Sequence, residues 1–169
     1  MLTKIHTTTQ LNGLARLVRV RLLPLTMSLP LLGAWSAGYA LTPLESVALM
    51  LIGMAAHIFG FGLNDLIDYP LDIHSQHNPA LLSISVPTAW MVVLLQIPLA
   101  LTIYLFIGGR TGFYLLCTAI VLSMIYNLWS KQGTLPRLLP ELALAWSLGL
   151  LCLAGSAVAG QINAYALLY

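Results

Sequence analysis

The chain has 169 residues, of which 59% are hydrophobic types and only 7% are Asp, Glu, Lys or Arg. Soluble domains carry roughly 25% charged residues, so five acids and seven bases cannot clothe a soluble globule of this size, and an ordinary cytosolic enzyme is excluded. A disordered chain needs low hydrophobicity and high charge, and a nucleic-acid binder needs a basic patch or stripe; a formal net charge of +2 in an apolar chain supplies neither.

A membrane-spanning helix needs about 20 mostly apolar residues. In chain order, 22–41, 44–63, 86–108, 111–129 and 138–159 meet that requirement. None alternates over about 10 residues as barrel strands do. The expected fold is therefore all-α: a polytopic transmembrane helix bundle of about five spans, forming a single transmembrane domain over 1–169. Pro24, Pro30 and Pro98 are expected to kink their helices, which neighbouring spans tolerate. Pro43 ends the first span and Pro87 opens the third. Cys117 and Cys152 lie in apolar runs and read as buried thiols. The basic start, the apolar run and Gly38-Tyr39-Ala40 imitate a signal peptide. That run is long, contains two prolines and precedes four more spans, which favours a retained helix.

The positive-inside rule orients the bundle. With the N-terminus cytoplasmic, Lys4, Arg16, Arg19, Arg21, Lys131 and Arg137 share one side, and only Arg110 faces the other. The loops after the second and fourth spans then lie on the same face of the membrane.

The second span runs into Asn64-Asp65-Leu66-Ile67-Asp68-Tyr69-Pro70-Leu71-Asp72, which holds three of the five acids in the chain. At 3.6 residues per turn, Asn64, Asp65, Asp68 and Asp72 fall within an arc of about 100°. An Asp costs about 2.5–3.5 kcal/mol at a bilayer centre, so such a cluster needs a cation or water beside it. Hard oxygen donors of this kind suit Mg²⁺, which takes one or two carboxylates, keeps waters and bridges to substrate phosphates. A solvated turn just outside the membrane would explain one or two of the acids, but not their concentration here. Pro70 disfavours a helical Tyr69 and is expected to break the helix. That would leave Asp72 on a loop, with Asp65 and Asp68 the safer metal ligands.

The pattern Asn-Asp-x-x-Asp-x-x-x-Asp, formed by Asn64, Asp65, Asp68 and Asp72 after the second span, resembles the first aspartate-rich motif of the UbiA superfamily of intramembrane prenyltransferases. Tyr126-Asn127-Leu128-Trp129-Ser130-Lys131 after the fourth span resembles that family's Tyr…Lys segment. The resemblance covers about residues 15–160. It implies Mg²⁺ held by Asp65, Asp68, Asp72 and Asn64, and a prenyl diphosphate bound through it. It also implies ionisation of the allylic C–O bond and transfer of the carbocation to a hydrophobic acceptor, aromatic or lipid. This is chemistry that fixed cations promote and that a dry apolar cavity protects.

Lys131 and Arg137 lie on the same face as the acids. Arg suits a bidentate diphosphate clamp and Lys a point charge, although both also serve as cytoplasmic anchors. Arg21, at the mouth of the first span, could reach the same site or act as an anchor. Arg16 and Arg19 read as anchors. Tyr126 could face a carbocation with its ring, bond a phosphate oxygen, or belong to an interfacial aromatic belt; Asn127 is the weaker neighbour. The family's loop after the motif carries basic residues. Here it reads His77-Asn78-Pro79-Ala80-Leu81, which leaves Asn78 and the histidines as substitute contacts. Asp72, His74 and His77 have the spacing of a transition-metal site, though two histidines in a polar loop are more often solvated. His57 in mid-span reads as a hydrogen-bonded interhelical histidine. Glu45 and Glu141 belong at helix starts, and Gly53, Gly60 and Gly62 read as close-packing positions.

No acid follows Glu141, so the family's second aspartate motif, Asp-x-x-x-Asp, is missing. Completing the site is expected to need a second polypeptide or a homo-oligomer. Three functions remain open at this point: a Mg²⁺-dependent prenyltransferase or its N-terminal half, a non-catalytic membrane scaffold or binding protein, and a small cation transporter. A transporter would place acids near mid-membrane, whereas these lie at a span end. The expected location is a bacterial or archaeal cell membrane.

Overall fold

The computed structural model describes residues 12–69, 84–129 and 138–160 in full, and 70–75 as helical backbone. A short helix α1 (12–17) leads through a turn at 18–22 into α2 (Leu23–Ser36). Then follow α3 (Pro43–Ser75), α4 (Val86–Ile107), α5 (Arg110–Trp129) and α6 (Leu138–Ala157). The described residues contain no strand. Among the described residues four helices are long and apolar enough to cross a membrane, Pro43–Tyr69 of α3, then α4, α5 and α6, one fewer than the five stretches expected. The polytopic all-α bundle expected from the sequence is the fold observed.

The helix boundaries follow local chemistry. The first apolar stretch becomes a helix of only 14 residues, because Gly38 adopts φ +71°. The Tyr39 N–H then bonds the Ala34 carbonyl and the Gly38 N–H bonds that of Trp35, the left-handed helix ending that glycine permits. Pro43 begins α3 rather than ending α2. It follows a reciprocal cap in which Glu45 Oε2 accepts from the Thr42 N–H at 2.8 Å and Thr42 Oγ1 accepts from the Glu45 N–H at 3.2 Å, the capping-box geometry. Tyr39 donates its hydroxyl to Glu45 Oε1, and the neighbouring carboxylate holds the phenol pKa above its usual value. Ser85 caps α4 through the Thr88 N–H, and Glu141 lies in the first turn of α6.

Pro70 does not break α3. The helix runs unbroken through it for 33 residues. A proline there removes one backbone bond, to the carbonyl four residues earlier, and a helix of this length keeps its other bonds. At 1.5 Å per residue α3 is about 50 Å long, against about 30 Å of hydrocarbon. Asn64 to Asp72 therefore form the helix's extension at and beyond one membrane boundary.

The five long elements pack as a ring, each against the next in sequence, with α6 closing on α2 and α3 also touching α5. One core cluster, around Leu49, Ile52, Tyr104, Leu116 and Leu151, fills the half towards the α4–α5 connection. A second, around Leu17, Phe59, Leu63, Leu66 and Val93, joins α1, α3 and α4. The opposite face of α3 is left for the site.

Candidate functional site

Helices α2, α3, α5 and α6, with Arg19, line a cavity of about 390 Å³. Most of its lining is apolar, built by Leu29 of α2, Ala56 of α3, Leu116 and Ile120 of α5, and Leu148 and Leu151 of α6, with Thr26, His57 and Ser147 as polar members. One or two turns towards the α3 C-terminus the lining becomes polar: Arg19, Asn64, Ser123, Tyr126 and Asn127. Arg19, Asn64 of the acidic motif and the end of α5 thus meet at one part of the cavity.

Asp65 is buried behind Arg19, its side chain 5% exposed, and Arg19 Nη2 donates to its Oδ1 at 2.6 Å. The guanidinium also lies over the Phe61 ring, 4.9 Å from its centre, a cation–π contact. Arg19 reaches this position from a backbone at φ +46°, a left-handed conformation costing roughly 1–2 kcal/mol for a side-chain-bearing residue. The turn that holds it is pinned by His57, which is 1% exposed. His57 Nε2 lies 2.9 Å from the Val18 carbonyl, and Nδ1 lies 2.9 Å from Thr26 Oγ1. A carbonyl only accepts, so Nε2 carries the proton and Nδ1 takes the threonine hydroxyl's. The His57 ring also packs against Phe61.

Asp68, one turn beyond Asp65, accepts from Asn64 Nδ2 at 3.1 Å. Tyr126 is half-buried and lines the mouth. Asn127, 1% exposed, donates through Nδ2 to the Ser123 carbonyl at 2.8 Å. That bond fixes the orientation of the amide, and its Oδ1 is the buried side-chain oxygen left without a partner among the described residues.

Several expectations change. Arg21 is exposed, and Arg19, which the sequence presented as an anchor, is the arginine at the site. The turn at 18–22, with Arg19 in a left-handed conformation, buries part of Arg19 and leaves Arg16 and Arg21 exposed, which helical spacing does not anticipate. Asn64, Asp65 and Asp68 lie together towards the end of α3; of the three, Asn64 lines the cavity, as Tyr126 does. Among the described residues no three His, Cys, Asp or Glu side chains gather as a metal cluster. Asp72 and His74 lie on α3 backbone whose side chains are outside the described residues, as are His77, Asn78, Lys131 and Arg137 altogether. His57 is the interhelical histidine expected. Gly53 and Gly62 are contact positions, where an added Cβ would come within 2.7 Å of Thr26 and Met27 and 2.5 Å of Val93 respectively.

The donor set fits a hard divalent cation. Asp65 and Asp68 sit about 60° apart along the helix, with an amide beside them, and are oxygen donors of the kind Mg²⁺ takes. The acceptor of the Arg19 guanidinium is itself one of these carboxylates, so the site already holds a positive charge against Asp65.

Helices that cross the membrane around an amphipathic chamber, apolar within and charged at the mouth, define an integral membrane protein. The UbiA prenyltransferase family model matches residues 26–169; the chain belongs to that family, whose general activity is prenyl transfer. No curated protein and no solved structure matches the chain.

Proposed function

We propose that this protein transfers a prenyl group from an allylic prenyl diphosphate to a hydrophobic acceptor, aromatic or lipid, in a Mg²⁺-dependent reaction within the membrane. The observation that carries this reading is the chamber's polarity: a mostly apolar lining that becomes polar at Arg19 and Asn64, the two residues whose side chains bond Asp65 and Asp68 respectively. The tail would lie among Leu29, Leu116, Leu148 and Leu151, and the diphosphate at the mouth. Asp65 and Asp68, with Asn64 and Asp72, would hold Mg²⁺, which when bound neutralises charge developing on the departing diphosphate. Lys131, Arg137 and Asn78 are the proposed diphosphate contacts from the flanking loops. Tyr126 would turn its ring towards the allylic cation. In the reaction the allylic C–O bond breaks with its electron pair leaving on the diphosphate. The acceptor's nucleophilic atom bonds to the allylic carbon and releases a proton. The proposed setting is a bacterial or archaeal cell membrane, with a second polypeptide or a second copy of the chain as the proposed protein partner.

The test is binding of a labelled allylic diphosphate to the protein in lipid nanodiscs, with Mg²⁺ or with EDTA. Metal-dependent binding that Asp65→Ala and Asp68→Ala abolish is expected. Equal binding by the wild type and both variants overturns the proposal.

A further inference from the structure

We infer that Arg19 is a positioning residue that stands in for the divalent cation at Asp65 and exchanges that place for the diphosphate when the cation binds. The inference rests on the proposed role of Asp65 as a metal ligand and adds a second state to it. Arg19 lies outside the segment matched by the family model, residues 26–169, and four observations single it out. Its guanidinium contacts the most deeply buried of the motif's described carboxylates, at 2.6 Å. Its own side chain is 38% exposed, so it can leave without crossing the packed core. It lines the same cavity as Asn64 and Tyr126, so its next position is the mouth itself. It is also held in a left-handed backbone by a separate bond, His57 to Val18, so the turn stays anchored while the side chain moves.

The electrostatics give the exchange a direction. A buried carboxylate without a counter-charge is strongly disfavoured, and Arg19 supplies that charge in the metal-free protein. Once a divalent cation neutralises Asp65, two positive groups compete for one carboxylate and the guanidinium is the mobile one. A planar guanidinium released beside a diphosphate makes paired, charge-assisted bonds to its oxygens. Cation and diphosphate then assist each other's binding through a side chain of the protein, a reciprocal coupling.

This predicts effects of opposite sign for one substitution. With the protein in nanodiscs, Mn²⁺ binding is read by electron paramagnetic resonance, and pyrophosphate binding at saturating Mn²⁺ by calorimetry. Arg19→Gln should tighten Mn²⁺ binding in the absence of pyrophosphate, and weaken pyrophosphate binding, each by roughly fivefold or more. Arg19→Lys keeps the charge but loses the fork, so it should bind Mn²⁺ as the wild type does and recover part of the pyrophosphate affinity. In the wild type, the guanidinium nitrogen resonance of Arg19 should shift when Mg²⁺ alone is added, a measurement independent of how any variant folds. Weakening of both ligands by Arg19→Gln, no change in either, or an Arg19 resonance indifferent to Mg²⁺ overturns the exchange and leaves Asp65 as a metal ligand. A wild type that binds neither Mn²⁺ nor pyrophosphate overturns the exchange together with the functional reading beneath it.

Discussion

The two ends of the bundle are built on opposite principles. At the end where α2 finishes and α3 begins, helices touch backbone to backbone. An added Cβ on Gly33 would sit 1.8 Å from the Cys152 carbonyl oxygen, and one on Gly155 would sit 1.9 Å from that of Pro30. Tyr104 fills what remains, donating to the Ala154 carbonyl at 2.5 Å while Gly108 and Gly112 make room for its ring. At the other end the same helices diverge around a cavity, and ion pairs and hydrogen bonds replace close packing. In a bilayer, lipid removes most of the hydrophobic drive for helix association, so small residues and van der Waals contact must supply it. Concentrating that contact at one end lets the other stay open for a ligand without losing the bundle.

The sharpest way to break this arrangement is to add bulk at the closed end. Gly155→Leu drives a side chain into the α2 backbone, which cannot move aside as a flexible side chain can. Overpacking usually costs about 1–3 kcal/mol; here the loss should reach or pass about 3 kcal/mol, and the variant should lose its cooperative thermal transition in detergent. Gly109→Ala is the matched control. An added Cβ there meets nothing within 4 Å, so its midpoint should stay within about 0.5 kcal/mol of wild type, as at unremarkable surface sites.

A smaller effect is expected from His57→Leu at the open end. The substitution leaves the Val18 carbonyl and the Thr26 hydroxyl without their ring partner, which for buried groups costs about 1–3 kcal/mol. It also frees the turn that carries Arg19. Thermal unfolding of His57→Leu, Arg19→Gln and the double variant should therefore give non-additive losses, with an interaction of more than about 0.5 kcal/mol. Additive losses would mean that the two residues hold independent pieces of the mouth.

How far the sequence anticipates these ends follows from what periodicity can record. The last three long helices start and stop within two residues of the expected stretches, because each boundary is set locally, by Ser85, by the Gly108-Gly109 pair or by an acid in the first turn. The second span is underestimated: an apolar window ends at Leu63, while α3 continues through the motif as a polar helix. The motif residues are legible because they are clustered in sequence. The pairing of Arg19 with Asp65 is not. The two are 46 positions apart, and which of Arg16, Arg19 and Arg21 faces inward depends on a single left-handed residue. Likewise the sequence marks His57 as an interhelical donor or acceptor but cannot name Val18, whose contribution is a backbone carbonyl that every residue carries. The glycine contacts of α2 with α6, at Gly33 and Gly155, depend on crossing geometry and leave no mark in the sequence, whereas Gly53 and Gly62 of α3 are legible as close-packing positions against α2 and α4.

The mildest substitution tests the mouth most selectively. Asn127 Oδ1 is buried without a partner, a state that costs about 1–3 kcal/mol of desolvation. Its amide hydrogen meanwhile bonds a helical carbonyl, that of Ser123, which the helix ladder already engages. Asn127→Leu removes the orphan oxygen and gives up only that secondary bond, so thermal stability should be unchanged or rise by up to about 1 kcal/mol. At the closed end a leucine of similar size costs several times more, and in the opposite direction. If Asn127→Leu instead destabilises by more than about 1 kcal/mol, the open end is packed as tightly as the closed one and the contrast between them fails. If stability holds while binding of the labelled allylic diphosphate falls, Asn127 is retained for the ligand at the expense of the fold, the pattern expected where a membrane protein keeps a polar atom in its interior.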